Sequence, residues 1–178
     1  MAPTARAYQP YDRSAVEAVL TAAFGDPHVA GLDAALEAGQ PGFALVAGLD
    51  GVIVSQVRLS RGWVDDPRHL VEVLVLSPLG VLPGHQRQGV GRLLVAAALE
   101  EAQRRGAPLV FLEGDPRYYS RLGFVAAGPL GFARPSVRIP GPACQVAVLP
   151  GGAGITGALV YPDTFWALDC VGLRPPRS

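Results

Sequence analysis

At 178 residues, with hydrophobic residues at 49% and charged residues at 17%, the chain can close one sizeable core, and intrinsic disorder is not expected. Fifteen basic and fifteen acidic residues give zero formal net charge. That disfavours nucleic acid or an anionic membrane as partner, because counterion release needs clustered cations.

In chain order, Thr4 to Tyr8 reads as a short strand. Ser14-Ala-Val-Glu17 has capping-box spacing and opens an apolar-periodic helix through Val16, Val19, Leu20 and Phe24, stopped at Gly25. A second helix is expected from about Pro27 to Ala38, with Gly39 as its stop. Residues 43–60 read as two strands joined at Asp50-Gly51, a strong hairpin signal. A long strand follows over about 70–82, interrupted at Ser77-Pro78, where proline demands an edge, a bulge or a splayed backbone.

From Gly89, the residues Val90, Leu93, Leu94, Ala97 and Ala98 keep helical spacing, and Gly106 ends that helix. Leu109–Leu112 is a short buried strand, and Asp115-Pro116 fits an N-cap with proline at the first helical position. Phe124–Ala127, Gln145–Leu149 and Gly157–Tyr161 read as further strands, with Gly128–Gly141 as a loop. This element order predicts an α/β fold on one mixed sheet, a single domain over 1–178 with core motifs at 70–125 and a weaker pattern beyond 126.

All basic residues are arginine, which removes a lysine Schiff base and a Walker-type phosphate lysine. Cys144 and Cys170 lack CxxC or metal-ligand spacing; no metal site and no disulfide framework are expected. His28 and His69 are isolated, and His85 reads as a loop residue. No basic segment precedes an apolar run at the N-terminus, and no apolar run reaches the ~18 residues of a membrane span, so a cytoplasmic location is expected.

The segment richest in chemistry is Gln86-Arg87-Gln88-Gly89-Val90-Gly91-Arg92, between the long strand and the helix. Glycines there let a ligand approach the backbone, and the orphan N–H groups of a helix start favour a pyrophosphate. Arg87 and Arg92 add charge at its rim. The GKS or GKT of a P-loop and the third glycine of GxGxxG are both missing, and a purely structural glycine turn stays open.

Gln86-x-x-Gly89-x-Gly91 resembles the Gln/Arg-x-x-Gly-x-Gly/Ala signature of the GNAT acetyltransferase superfamily. Tyr119-x-x-x-Gly123-Phe124 resembles the family's Tyr-x-x-x-Gly-Phe block, and GDPRYYSRLGF is similar to a subgroup of bacterial predicted acetyltransferases. The resemblance implies a GNAT-like, mostly antiparallel central sheet with a splayed strand, flanked by helices. It implies acetyl-CoA as co-substrate, with its pyrophosphate on residues 86–92 and its pantetheine arm against the main chains of Leu79 and Val81.

It further implies Tyr119 as the acid for the coenzyme thiolate and Glu72 as a base acting through water. The acceptor would be a primary amine, on a small molecule, a protein or a peptide, attacked directly without a covalent enzyme intermediate. A non-catalytic acyl-CoA-binding module is the alternative, and a homodimer stays open.

Overall fold

In the computed structural model residues 1–173 are described, and residues 174–178 of the expected single domain lie outside them. The described residues form two compact units, Met1–Ser60 with Leu76–Ala102, and Arg61–Val75 with the residues from Gln103 onward. Two long strands, β3 (Val52–Asp65) and β4 (Leu70–Val81), contribute residues to both.

In the first unit, β1 (Thr4–Ala7) pairs antiparallel with β2 (Gly42–Leu49), and β2 pairs antiparallel with β3 from Gly42↔Ser60 to Leu49↔Val52. Asp50 and Gly51 have φ of 50° and 81°, so both central residues of the hairpin are left-handed, as a type I′ turn requires. Helices α1 (Arg13–Phe24) and α2 (His28–Gly39) fall close to the expected spans. Val16 and Leu20 of α1 pack with Ala30 of α2 and Val46 of β2, burying the apolar stripe that the helical spacing announces.

The Ser14–Glu17 capping box does not start α1. The helix begins at Arg13 after a short 3-10 turn, Pro10–Asp12. There the Asp12 carboxylate accepts from the Gln9 N–H at 2.8 Å and from Arg6 at 2.7 and 2.8 Å. Arg6 holds that carboxyl below the usual carboxylate range. The helix thus starts two residues earlier than the serine spacing suggests, behind a carboxylate already fixed by a guanidinium.

A buried ion network, with no sequence signal, ties this unit together. Asp33 of α2 is 0% exposed. It accepts from Arg58 Nε at 2.6 Å, Gln56 Nε2 at 2.7 Å and Arg13 Nη1 at 2.9 Å. The Tyr8 ring lies under the guanidinium groups of Arg13 and Arg58, at 5.5 and 5.6 Å. Removing one partner of a buried pair leaves a charge uncompensated, which typically costs about 3–5 kcal/mol. Asp33→Ala is therefore expected to destabilise the chain by about 3 kcal/mol or more in denaturant unfolding. A change under about 1 kcal/mol would show that the network adds nothing net.

In the second unit, β4 pairs parallel with β5 (Leu109–Glu113) at Leu74↔Val110 and Val75↔Phe111. β5 pairs antiparallel with β8 (Cys144–Val148), and β8 with β6 (Val125–Ala126). β3 runs five residues past the expected strand end at Ser60, and its Trp63–Asp65 stretch pairs with β9 (Gly157–Val160). The extension keeps the period of two: Gly62 and Val64 are buried, with Arg61, Trp63 and Asp65 between them more exposed. Gly62 suits the site because an added Cβ would sit 3.0 Å from Val160 O and from Val75 Cγ2.

The segment 128–141, read from sequence as a loop, holds a two-residue strand β7 (Phe132–Ala133) that pairs parallel with β9. Phe132 meets Phe111 edge-on at 5.0 Å. Short helices α4 (Pro116–Tyr119) and α5 (Asp163–Ala167) complete the unit. The result is a mixed α/β fold with a mostly antiparallel sheet. Among the described residues no helix is long and apolar enough to cross a membrane.

Candidate functional site

The glycine segment lies in the first unit. β4 ends at Val81, a 3-10 turn covers Pro83–His85, and α3 (Val90–Arg104) follows. Gly80 packs closely on α1, where an added Cβ would meet Leu20 Cδ2 at 2.8 Å, and its carbonyl accepts from Ser55 Oγ at 2.7 Å. Strand alternation sends Leu79 and Val81 to the opposite face, and both are half-buried. Gln86 Nε2 donates to Val81 O at 3.1 Å, tying the loop to the strand end. Gln88 Nε2 donates to Gly84 O at 3.0 Å. Both glutamines brace the loop from within.

Residues 86–89 are exposed, and Arg87 and Gly89 have φ of 59° and 84°. Leu93 N–H donates to Gly89 O at 3.0 Å, the first bond of the helix. The N–H groups of Val90, Gly91 and Arg92 thus precede any i−4 partner in α3 and carry the positive end of its dipole. A Cβ on Gly89 would meet nothing within 4 Å, so the space above its Cα is open. The arginines at 87 and 92 are exposed beside it. Open backbone, orphan donors and flanking cations fit a phosphate group.

Tyr119 and Glu72 lie in the second unit. Asp115 caps α4 by accepting from the Arg117 N–H at 2.9 Å, with Pro116 at the first helical position, as the sequence predicts. The chain leaves through Gly123 at φ 95°, the left-handed exit that the Tyr-x-x-x-Gly-Phe spacing needs. The Tyr119 ring meets Tyr118 at 4.8 Å and Phe124 at 5.8 Å, both near perpendicular. Burial, with a smaller contribution from Tyr118, pushes the Tyr119 phenol well above its ordinary pKa. Glu72 projects from β4 between buried Val71 and Val73 and is exposed. No hydrogen bond or ion pair joins Glu72 to Tyr119.

Glu113 ends β5 and is bonded to residues far along the chain. Its carboxylate accepts from the Gly172 N–H at 3.1 Å and from Tyr161 Oη at 3.3 Å, so it anchors the returning C-terminal segment. Burial raises its pKa, partly offset by those two bonds. Cys144, also beside this carboxylate, is raised to about 11 by burial first and by Glu113 second, which leaves its thiol protonated and a poor nucleophile.

Because the folded pKa of Glu113 lies above the unfolded one, its favourable contribution is complete below the unfolded value and is lost as pH rises through the folded value. The melting-temperature difference between Glu113→Gln and the native chain should therefore shift in favour of the variant from about pH 4 to pH 7. A constant difference would contradict this linkage. Among the described residues no group of three or more His, Cys, Asp or Glu side chains is placed to hold a metal.

Comparison with known proteins bears on both units. Residues 11–124 match the family model for the Acetyltransferase (GNAT) family. The chain is 34% identical over 132 residues to the uncharacterized N-acetyltransferase YjhQ of Escherichia coli (strain K12), covering 70% of this chain and 71% of that protein. The crystal structure of the GNAT family N-acetyltransferase YhbS from Escherichia coli, in complex with CoA, superposes with a TM-score of 0.83 at 29% identity. That similarity covers 92% of this chain and 91% of the other. A GNAT family acetyltransferase from Brucella melitensis, in complex with acetyl-CoA, gives a TM-score of 0.74 at 25% identity over 92% and 98% of the two chains.

Proposed function

Since this chain belongs to the GNAT acetyltransferase family and is an N-acetyltransferase, we propose that it transfers the acetyl group of acetyl-CoA to a primary amine by direct attack, with residues 1–178 as one catalytic domain. The observation that carries this reading is the segment 86–92. Its first helical bond starts only at Leu93, and Gly89 leaves its backbone open. Val90, Gly91 and Arg92 would offer N–H donors to the coenzyme pyrophosphate, with Arg87 and Arg92 supplying charge. The relatives whose structures hold CoA and acetyl-CoA support the same donor.

Gln86 and Gln88 act in this reading as braces that hold the loop shape, since both amides are engaged with loop or strand carbonyls. Main-chain groups of Leu79 and Val81 would meet the pantetheine arm. Acetyl-CoA supplies an activated thioester, whose transfer to an amine leaves a thiolate in need of a proton. Tyr119 holds such a proton at Oη: its raised pKa keeps the phenol neutral throughout the physiological range. Glu72, exposed on its strand, would accept the proton of the incoming ammonium through water. The acceptor is a primary amine on a small molecule, a protein or a peptide.

Calorimetric titration with acetyl-CoA, beside ATP and NAD, tests the donor assignment. Binding selective for acetyl-CoA is expected, followed by amine-dependent release of free thiol. A folded chain that binds ATP or NAD equally well, or binds none of the three, would overturn it.

A further inference from the structure

We propose that Gly114 and Gln145 are positioning residues that set the ring of Tyr119, and through it the protonation step; this rests on the acid role of Tyr119 given above. All of these residues lie in the second unit. Gly114 follows the last residue of β5, and its peptide groups are held on both sides. Its N–H donates to Ala143 O at 3.0 Å, and its carbonyl accepts from Gln145 Nε2 at 3.1 Å. Gln145 is 1% exposed and lies opposite Leu112 in the β5–β8 ladder, so the sheet fixes its backbone while the Gly114 carbonyl holds its amide. A buried amide at a strand position otherwise suited to an apolar residue is costly unless bonded, and its bond here is to the Gly114 carbonyl.

Gly114 meets Tyr119 directly. A Cβ added there would lie 2.6 Å from Cε2 and 3.0 Å from Cδ2 of the Tyr119 ring. The ring therefore rests on the Gly114 Cα. Gly114 is not among the glycines with positive φ, so backbone strain does not explain the missing side chain. What the position demands is room for an aromatic ring. Tyr118 and Phe124 brace that ring edge-on, and Phe124 is itself 1% exposed. Among the described residues the Tyr119 hydroxyl has no hydrogen-bond partner, so packing alone aims the phenol. A ring braced in this way transmits a small shift of Gly114 to its hydroxyl, and a displacement of about 1 Å in a reacting group costs up to about 10²-fold in rate.

The test is a double-mutant cycle with a spectroscopic arm. Gly114→Ala is expected to lower kcat by about 10²-fold with the KM for acetyl-CoA unchanged, and Gln145→Met to lower it by about 10-fold. In a Tyr119→Phe background, Gly114→Ala should cause little further loss, because the hydroxyl it misplaces is gone. An equal fold-loss in both backgrounds would mark Gly114 as merely structural and overturn the proposal.

The second arm uses 19F NMR of chains labelled with 3-fluorotyrosine. The Tyr119 resonance is assigned by its disappearance in Tyr119→Phe, and it should move in both Gly114→Ala and Gln145→Met. A resonance unmoved in folded Gln145→Met overturns the positioning role even where Gly114→Ala fails to fold. An unchanged kcat in Tyr119→Phe together with a moved resonance overturns the acid role instead, so the two failures are told apart.

Discussion

Gly89→Glu is expected to weaken acetyl-CoA binding by about 10²-fold or more in a chain that still folds. Two effects act in the same direction. Gly89 has φ of 84°, a conformation that costs an L-residue roughly 1–2 kcal/mol, so the loop would tend to rearrange. The added carboxylate would also occupy the open space above the Gly89 Cα, where a phosphate is proposed to sit. Two like charges about 4 Å apart repel by about 4 kcal/mol at the effective dielectric of a protein surface, enough for a 10²- to 10³-fold loss. Gly89→Ala separates the effects, since its Cβ meets nothing within 4 Å and brings no charge. It should show a smaller loss of affinity. Native affinity in folded Gly89→Glu would remove the loop as the phosphate site.

Tyr119→Phe is expected to lower kcat by about 10²–10⁴-fold while acetyl-CoA affinity stays close to native, the signature of an interaction made only in the transition state. Stability should barely change, because the hydroxyl has no partner among the described residues and the ring contacts with Tyr118 and Phe124 survive. The pH profile adds a second reading. Burial raises the phenol pKa, so the proton-bearing form persists beyond the ordinary phenol range near pH ~10. The native enzyme should show no alkaline fall in kcat attributable to Tyr119 below that range. Equal rates for native and Tyr119→Phe chains across pH would remove the residue as the acid.

Several determinants of this protein are properties of short runs of residues. Asp50-Gly51 forms its hairpin turn because both residues tolerate positive φ, whatever else surrounds them. Asp115-Pro116 starts α4 because a carboxylate can accept an adjacent N–H and proline is preset for the first helical position. Gly89-x-Gly91 before an apolar-periodic helix similarly places open backbone at a helix start. The family resemblance likewise lies in two short runs, Gln86-x-x-Gly89-x-Gly91 and Tyr119-x-x-x-Gly123-Phe124.

Other features depend on residues that meet only after the chain has returned on itself. Asp33 finds Arg58 across 25 positions, and Glu113 finds Gly172 across 59. The Glu113 carboxylate takes both of its partners, Tyr161 and Gly172, from the C-terminal part of the chain. Ser14 has the spacing of a cap, yet the Arg6–Asp12 pair moves the helix start ahead of it. Gln145 lies 31 positions from the Gly114 carbonyl that it holds. A side chain's burial and its bonding partners are set by the sheet register, which sums many weak preferences over the whole fold. Local backbone preference therefore determined the loop, the turns and the helix cap, while tertiary packing decided which charges are buried and what holds the Tyr119 ring.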